Sequence, residues 1–566
     1  MKSLSLIIAA ALPLVLSIAC NNQHIGRSKS SPASNAQDED LTLSSPAPVA
    51  SRKLKVATDK STPPRTLREG EVAEEKQAGK GLTADSDRDF NTEEYAHIEE
   101  NKFLAVTQNP LSTFSIDVDA ASYSNVRRFL QQQHTLPPPG AVRIEELINY
   151  FDYEYPQPKG EDPFSVNTEM SACPWNSEHR LLLVGLQGKK IPMEQLPNAN
   201  LVFLIDVSGS MDEENKLPLV KTSLKMLTDQ LRDNDRVAIV VYAGNAGLVL
   251  PSTDGYKKQT IKDAIDRLEA GGSTAGGAGL ELAYKIAGEN FIKGGNNRIV
   301  LATDGDFNVG PSSDGALVSL IEKERQTGIF LSILGYGMGN YKDEKMEQLA
   351  DKGNGNHYYI DNGNEARKVL VKEFGGTLFT IAKDVKLQLE FNPAAVQSYR
   401  LIGYENRMLA AEDFNDDRKD AGELGSGHRV TALYELIPVG VKDEFTTSVD
   451  PLKYQTKHEP APGLTTDEWL TIKLRYKQPD GDASKLITHT VGKNFVAVDN
   501  ASENLRFAAA VAEFGMLLRN SAFKEKAGWQ QVTGLAKSAP GADAEGYRHE
   551  FIGLAQVAAT LSVSKN

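Results

Sequence analysis

Three short stretches of this 566-residue chain carry oxygen-bearing side chains to points where the backbone must turn. Asp206-Val-Ser208-Gly-Ser210 sets a carboxylate and two hydroxyls at alternate positions, directly after the apolar run Leu201-Val-Phe-Leu-Ile205. Turning backbone there can aim all three at one small volume. Gly271-Gly-Ser273-Thr274-Ala-Gly-Gly offers a further hydroxyl on glycine-rich backbone, and Ala302-Thr303-Asp304-Gly305 ends another apolar run with a second carboxylate. Hydroxyl and carboxylate oxygens around one point suit a hard divalent cation. Mg²⁺ takes near-octahedral oxygen ligands at about 2.0–2.1 Å and keeps some waters; Mn²⁺ and Ca²⁺ accept the same donors. With few charged ligands bound directly, such a metal stays electrophilic and can accept a carboxylate from outside.

Other chemistries fit the residues poorly. The glycines at 271–279 lack Gly-Lys-Ser/Thr and do not form Gly-x-Gly-x-x-Gly after a strand, so no nucleotide site is expected. The nine histidines make no His-Glu-x-x-His pattern of a zinc protease. No Gly-x-Ser-x-Gly elbow accompanies a triad. Cys20 and Cys173 are the two cysteines, which excludes a disulfide framework or a multi-cysteine zinc site. Cys173, in Cys173-Pro-Trp-Asn176, is expected to be a small buried residue of a packed turn. The net charge of −14 argues against a nucleic-acid footprint. Asp212 and Asp306 lie close to the three stretches and are expected to be solvated loop residues.

The elements that must position these residues alternate between strand and helix. Leu201–Ile205 is a continuous apolar run, the mark of a strand buried on both faces; Arg236–Ala243 reads as another buried strand, and Arg298–Ala302 and Ile329–Leu334 as further strands. Helical spacing falls between them, at Leu217–Leu231, Ile261–Leu268, Leu280–Ala287 and Leu317–Arg325. A helix at Glu344–Ala350, a short strand at His357–Ile360 and a closing helix at Glu365–Phe379 complete the unit. The pattern predicts an α/β fold with a doubly wound, mainly parallel sheet and helices on both faces. All three chemical stretches then lie on one edge, at the carboxyl ends of strands.

Asp-x-Ser-x-Ser after an apolar strand, a Gly-Gly-Ser-Thr loop and Thr-Asp-Gly after another strand together resemble the metal-ion-dependent adhesion site of von Willebrand factor type A domains. The resemblance assigns Asp206, Ser208, Ser210, Thr274 and Asp304 to the five family positions. It implies metal contact through the serine and often the threonine hydroxyls, aspartates acting directly or through water, and a sixth position taken by a ligand's Asp or Glu. One extra residue precedes Thr274, which makes Ser273 its rival. In related A domains the last helix can shift when the metal is engaged; here that helix leads straight into the following segment.

Ser115-Ile-Asp-Val-Asp-Ala-Ala-Ser-Tyr-Ser-Asn-Val-Arg-Arg-Phe129, Arg143-Ile-Glu-Glu-Leu-Ile-Asn-Tyr-Phe-Asp-Tyr153 and Cys173-Pro-Trp-Asn176 resemble the bacterial YfbK-type lipoproteins over about residues 90–566. The architecture is also similar to inter-α-trypsin-inhibitor heavy chains. Residues 1–20 resemble a lipoprotein signal peptide, with small residues before Cys20 as the lipidation site and Ser17 where leucine is commoner. Residues 21–91, rich in Ser, Pro, Ala and charge, are expected to form a disordered stalk. An N-terminal α+β extension is expected at 92–197, the A domain at 198–380, a β-rich domain at 381–500 and a helical region at 501–566. Period-two alternation at 112–119 and strand-like runs at 164–171 and 181–186 before the A domain, with period-two strands at 385–391, 429–437 and 469–476 after it, suggest that the A domain is inserted in a β-rich host built from both flanks. The expected function is a lipid-anchored module of the bacterial cell envelope, with Asn21 permitting outer-membrane sorting. It would bind a protein ligand presenting Asp or Glu in a metal-dependent way; a metal-dependent envelope hydrolase is the alternative.

Overall fold

The computed structural model describes residues 93–273, 276–305, 314–373, 379–419, 421–445, 467–479, 481 and 483–563. The stalk, Cys20, Thr274 and Asp306 lie outside the described residues.

Every residue of the strand Ala199–Asp206 is buried. Its side chains alternate between two cores, because successive residues of a strand point to opposite faces. Leu201, Phe203 and Ile205 pack with Val220, Leu224 and Leu227 on one side; Val202 and Leu204 pack with Leu280, Ala283 and Ile321 on the other. Each such side chain contributes roughly 1.5–3 kcal/mol through burial, and the polar residues of the strand, Asn200 and Asp206, stand at its two ends, where each finds hydrogen-bond partners. Parallel neighbours flank it: Arg236–Tyr242 on one side, then Asn296–Thr303, Ile329–Gly335 and His357–Tyr359 on the other. The sheet is closed at one edge by an antiparallel strand, Ala246–Asp254. Sequence periodicity misses this strand because one edge of it meets solvent and Leu248 and Val249 stay exposed.

The expected closing helix Glu365–Phe379 needs correction. The described helix is Gly363–Arg367, capped by the Asn362 side chain, and it widens into a π-helical turn over Lys368–Lys372. The wider turn is closed by the Glu373 N–H donating to the Lys368 carbonyl. Lys368 is buried there, ion-paired to Glu373 with its ammonium 4.3 Å from the Tyr150 ring centroid.

Two antiparallel sheets share a second core, and each mixes strands from before and after the A unit. In one, Arg180–Gly188 pairs with Arg429–Pro438. In the other, Leu111–Ser115 pairs with Thr380–Phe391. Phe114, Leu182, Leu387, Tyr434 and Ile472 meet between them. The chain therefore leaves this host after Gly188 and rejoins it at Thr380. A third core joins the helices Ala121–Gln131 and Ile144–Asn149 to Glu503–Arg519, Trp529–Lys537 and Tyr547–Val563. Phe151, Phe507 and Phe551 interlock edge to face within it.

The seam between the A unit and its flanks is charged. Arg127 of the N-terminal extension donates to Asp361 (2.8 Å from Nε) and to Glu365 (2.7 Å), at the start of the closing helix. Arg143 meets Asp343 (2.5 Å) and Glu347 (2.8 Å), and Arg407 of the host meets Asp119 (3.1 Å) and Glu347 (3.3 Å).

Candidate metal centre

Strand register builds the centre. Asp206 ends its strand opposite Tyr242, and Ile205 lies opposite Ala302, so the turns after Asp206 and Thr303 leave the sheet at the same edge. Both Asp206 and Asp304 are fully buried. The Ser208 N–H donates to Asp206 Oδ1 at 2.9 Å, while the Tyr242 hydroxyl (3.0 Å) and Thr303 Oγ1 (3.4 Å) donate to Oδ2. The Ser208 and Ser210 hydroxyls lie 3.0 Å apart. Ser208 is buried and Ser210 exposed, so the pair leads from the sheet edge to the surface. The glycine-rich loop is pinned beside this turn: Gly209 N–H donates to the Gly272 carbonyl (3.0 Å) and Gly271 N–H to the Val207 carbonyl (2.7 Å). Of the two rivals in that loop, Ser273 is described and exposed, with its Oγ on the Gly244 side; Thr274 lies outside the described residues.

Asp304 Oδ2 accepts from Asn340 Nδ2 at 2.9 Å and lies 3.3 Å from Lys216 Nζ, which also reaches Glu213 Oε1 at 3.2 Å. Gly305 turns the chain with φ +96°, and a Cβ there would lie 2.8 Å from Tyr341 Cα and Lys342 N. Only glycine accepts both the left-handed conformation and that close approach. The Lys216 stem lies across Gly337, where a side chain would collide with it. Lys216, Tyr242, Thr303 and Asn340 were not singled out from sequence. Thr303 and Tyr242 carry a usable signal, since each ends a buried strand beside Asp206. Lys216 and Asn340 arrive through loops and carry none.

The donor set fits a hard divalent cation. Two carboxylates and two converging hydroxyls share one edge, and burial pushes the Asp206 carboxyl up to about 6, with the nearby Asp304 charge adding to the rise. A cation at this edge would oppose both causes. Ser208, Ser210, Asp206 and Asp304 are the described residues that would hold it, and its chemistry would be Lewis acidity toward an incoming oxygen ligand. Among the described residues, Asp119, Glu146 and Glu347 form another carboxylate group close enough to hold a cation, but Arg143 and Arg407 already run through it. Cys173 is free and buried, as expected.

Comparison with known proteins decides the family. The von Willebrand factor type A domain matches residues 200–372, the C-terminal region of uncharacterized protein YfbK matches 376–561, and a von Willebrand factor family matches 89–183. Uncharacterized protein YfbK of Escherichia coli K12 is 47% identical over 474 residues, spanning 82% of this chain and 81% of that one. The chain belongs to the YfbK-like family of von Willebrand A domain proteins. Inter-alpha-trypsin inhibitor heavy chain H4 of Homo sapiens is 26% identical over 179 residues, 30% of this chain and 18% of its own. Among solved structures, von Willebrand factor type A from Catenulispora acidiphila covers 79% of this chain and 90% of its own at 15% identity, with a TM-score of 0.37. The α/β sheet with added β-rich sheets and C-terminal helices is thus the architecture of a YfbK-like protein. Von Willebrand A domains often mediate protein interactions and commonly bind a divalent metal.

Proposed function

We propose that this YfbK-like protein is a lipid-anchored, divalent-metal-dependent protein-binding module of the bacterial cell envelope. The observation that carries the proposal is the convergence of Asp206, Ser208, Ser210 and Asp304 on one sheet edge, from the buried interior to the surface. Simple charge counting supports an acidic ligand. Glu213, which also reaches Lys216, is exposed and screened by solvent; among the buried groups, Asp206 and Asp304 against Lys216 leave one net negative charge. A divalent ion, with Mg²⁺ first and Mn²⁺ or Ca²⁺ behind it, turns that into one net positive charge. The surface-facing side of the centre then attracts a Glu or Asp side chain of a partner.

A hydrolase at the same centre would need a general base. Tyr242, Thr303, Asn340 and Lys216, which hold the two carboxylates, are donors. That favours binding over turnover. Anchoring through Cys20 rests on the small residues before it and on polar Asn21 and Asn22 after it. No helix among the described residues is long and apolar enough to cross a membrane.

The test is affinity capture from envelope extracts with the full chain, in Mg²⁺ and in EDTA, beside Asp206→Ala. Capture is expected in Mg²⁺ alone and is expected to vanish in the variant. Capture that persists in EDTA, or turnover of ester or phosphate substrates that requires the metal, would overturn the proposal.

A further inference from the structure

The loop that follows the strand Ile329–Gly335 touches the metal edge at several points. Asn340 Nδ2 donates to Asp304, the backbone of Tyr341 and Lys342 lies close against Gly305, and Gly337 lies under the stem of Lys216. Much of what holds this loop comes from outside the A unit. Glu93, 246 residues before Gly339 in the chain, accepts the Gly339 N–H at Oε1 over 2.8 Å. The next residue adds to the grip: the Glu94 N–H donates to the Tyr341 carbonyl (3.2 Å), and the Glu94 carboxylate lies 3.0 Å from Lys342 Nζ. A further anchor passes through Tyr359. Its hydroxyl donates to the Gly337 carbonyl (2.5 Å), and its own carbonyl accepts from Ser124 Oγ (2.6 Å), on the helix Ala121–Gln131 of the N-terminal extension.

Of these anchors Glu93 is the most firmly built. Its side chain is 3% exposed, whereas that of Glu94 is 76% exposed, and an exposed ion pair adds little. Arg128, from the same helix as Ser124, donates to both Glu93 oxygens (2.7 and 2.8 Å), and the Tyr95 hydroxyl adds a third bond at 3.0 Å. Burial works to raise the Glu93 carboxyl, but the Arg128 guanidinium and the Gly339 N–H hold it below the ordinary glutamate range. A carboxylate fixed by a planar fork is a rigid, charged acceptor. Gly339 meets it at φ +90°, a left-handed conformation that glycine adopts without strain. Asn340 is the next residue, so the amide that holds Asp304 is set directly by the bond to Glu93.

We propose that Glu93 is a positioning residue of the metal centre: the N-terminal extension, through Glu93, fixes the loop whose Asn340 orients Asp304. The proposal rests on the reading of Asp206, Ser208, Ser210 and Asp304 as a divalent-ion site. It makes that site a joint product of the A unit and the extension before it.

The test is titration calorimetry of the full chain with Mg²⁺, comparing the parent with Glu93→Gln, Asn340→Ala and the double variant. Asn340→Ala removes a direct partner of a metal-edge carboxylate and is expected to weaken Mg²⁺ about tenfold. Glu93→Gln loosens one charge-assisted bond a step further out, and about fivefold is expected. The double variant is expected to match Asn340→Ala within about twofold, because Glu93 acts through Asn340. Arg127→Ala, on the same helix but turned to the closing helix, separates positioning from stability: it is expected to destabilise the fold and to leave Mg²⁺ affinity within about twofold. Should Glu93→Gln fail to fold, Arg128→Lys keeps the counter-charge, loses the fork and is expected to weaken Mg²⁺ in the same direction. Affinity unchanged in both Glu93→Gln and Arg128→Lys, losses that multiply in the double variant, or an equal loss in Arg127→Ala would overturn the proposal. Asp206→Ala decides the reading beneath it: a parent chain that binds Mg²⁺ no more tightly than this variant would overturn the metal centre, and the positioning role with it.

Discussion

The metal edge and the seam of the A unit both bury carboxylates, but they neutralise them differently. At the seam the chain supplies its own counter-charges: Arg127 serves Asp361 and Glu365, and Arg143 serves Asp343 and Glu347. At the metal edge, among the described residues, an ammonium lies beside Asp304 and none beside Asp206. Asp206 is held by neutral donors, and its proton affinity rises. Planar guanidinium forks with several bonds fix geometry between elements. A buried carboxylate held only by neutral donors leaves room for a cation from solution. The seam thus serves architecture, and the edge is where the proposed binding would take place.

The largest expected effect comes from breaking the seam. Arg127→Ala leaves Asp361 and Glu365 buried without their shared cation, and losing one partner of such a group costs about 3–5 kcal/mol. Denaturant unfolding should register that loss, while Mg²⁺ affinity, read by calorimetry on the folded variant, should stay within about twofold. A loss below about 1 kcal/mol would show that the seam is not what fixes the A unit to its flanks. Because Arg127 grips the start of the closing helix, the same variant also tests whether ligand capture is passed to the host. Unchanged helix positions with and without an acidic peptide, in both proteins, would remove that idea.

Much of the metal edge was legible in sequence because it is local. Asp206, Ser208 and Ser210 fall within five residues of a strand end, and buried strands announce themselves as unbroken apolar runs. The seam was not legible. Arg127 meets Asp361 across 234 residues, and a lone arginine on an amphipathic helix reads as a solvated face. Host strands from both sides of the A unit were recognised by their period of two, but sequence periodicity carries no pairing information. The π-helical turn was invisible for a related reason. It depends on Lys368 finding Glu373 and the Tyr150 ring, and the ring comes from a distant segment.

A smaller effect should come from the edge itself. Asp206 has a folded-state pKa near 6, above its unfolded value of 3.8. The folded chain therefore binds more protons than the unfolded one between these values, and stability falls as pH rises through that window. Above pH 6 the full penalty stands, roughly 3 kcal/mol at most. In metal-free protein at pH 7.5, Asp206→Asn should recover part of it, on the order of 1–2 kcal/mol, since the amide accepts fewer hydrogen bonds than the carboxylate. Below pH 4 the gain should vanish. Added Mg²⁺ should raise the melting temperature of the parent chain and not of the variant. Equal Mg²⁺ responses in the two would separate Asp206 from metal binding.

The subtlest contrast concerns Lys216, the cation that the described residues place at the edge. Lys216 reaches Asp304 along a stem laid over Gly337, and both its partners there are acidic. An ammonium so close to a candidate ligand opposes an incoming divalent ion, yet it also raises the net charge that an acidic partner meets afterwards. Lys216→Met keeps the length of the stem and removes the charge. Mg²⁺ should then bind more tightly, by roughly tenfold if the charges are screened as in water, with a dielectric of about 80 over about 6 Å, while partner capture at saturating Mg²⁺ should weaken. The two changes must run in opposite directions if Lys216 acts through its charge. Loss of both together would instead assign it the seam's kind of role, a strut that holds Asp304 in place.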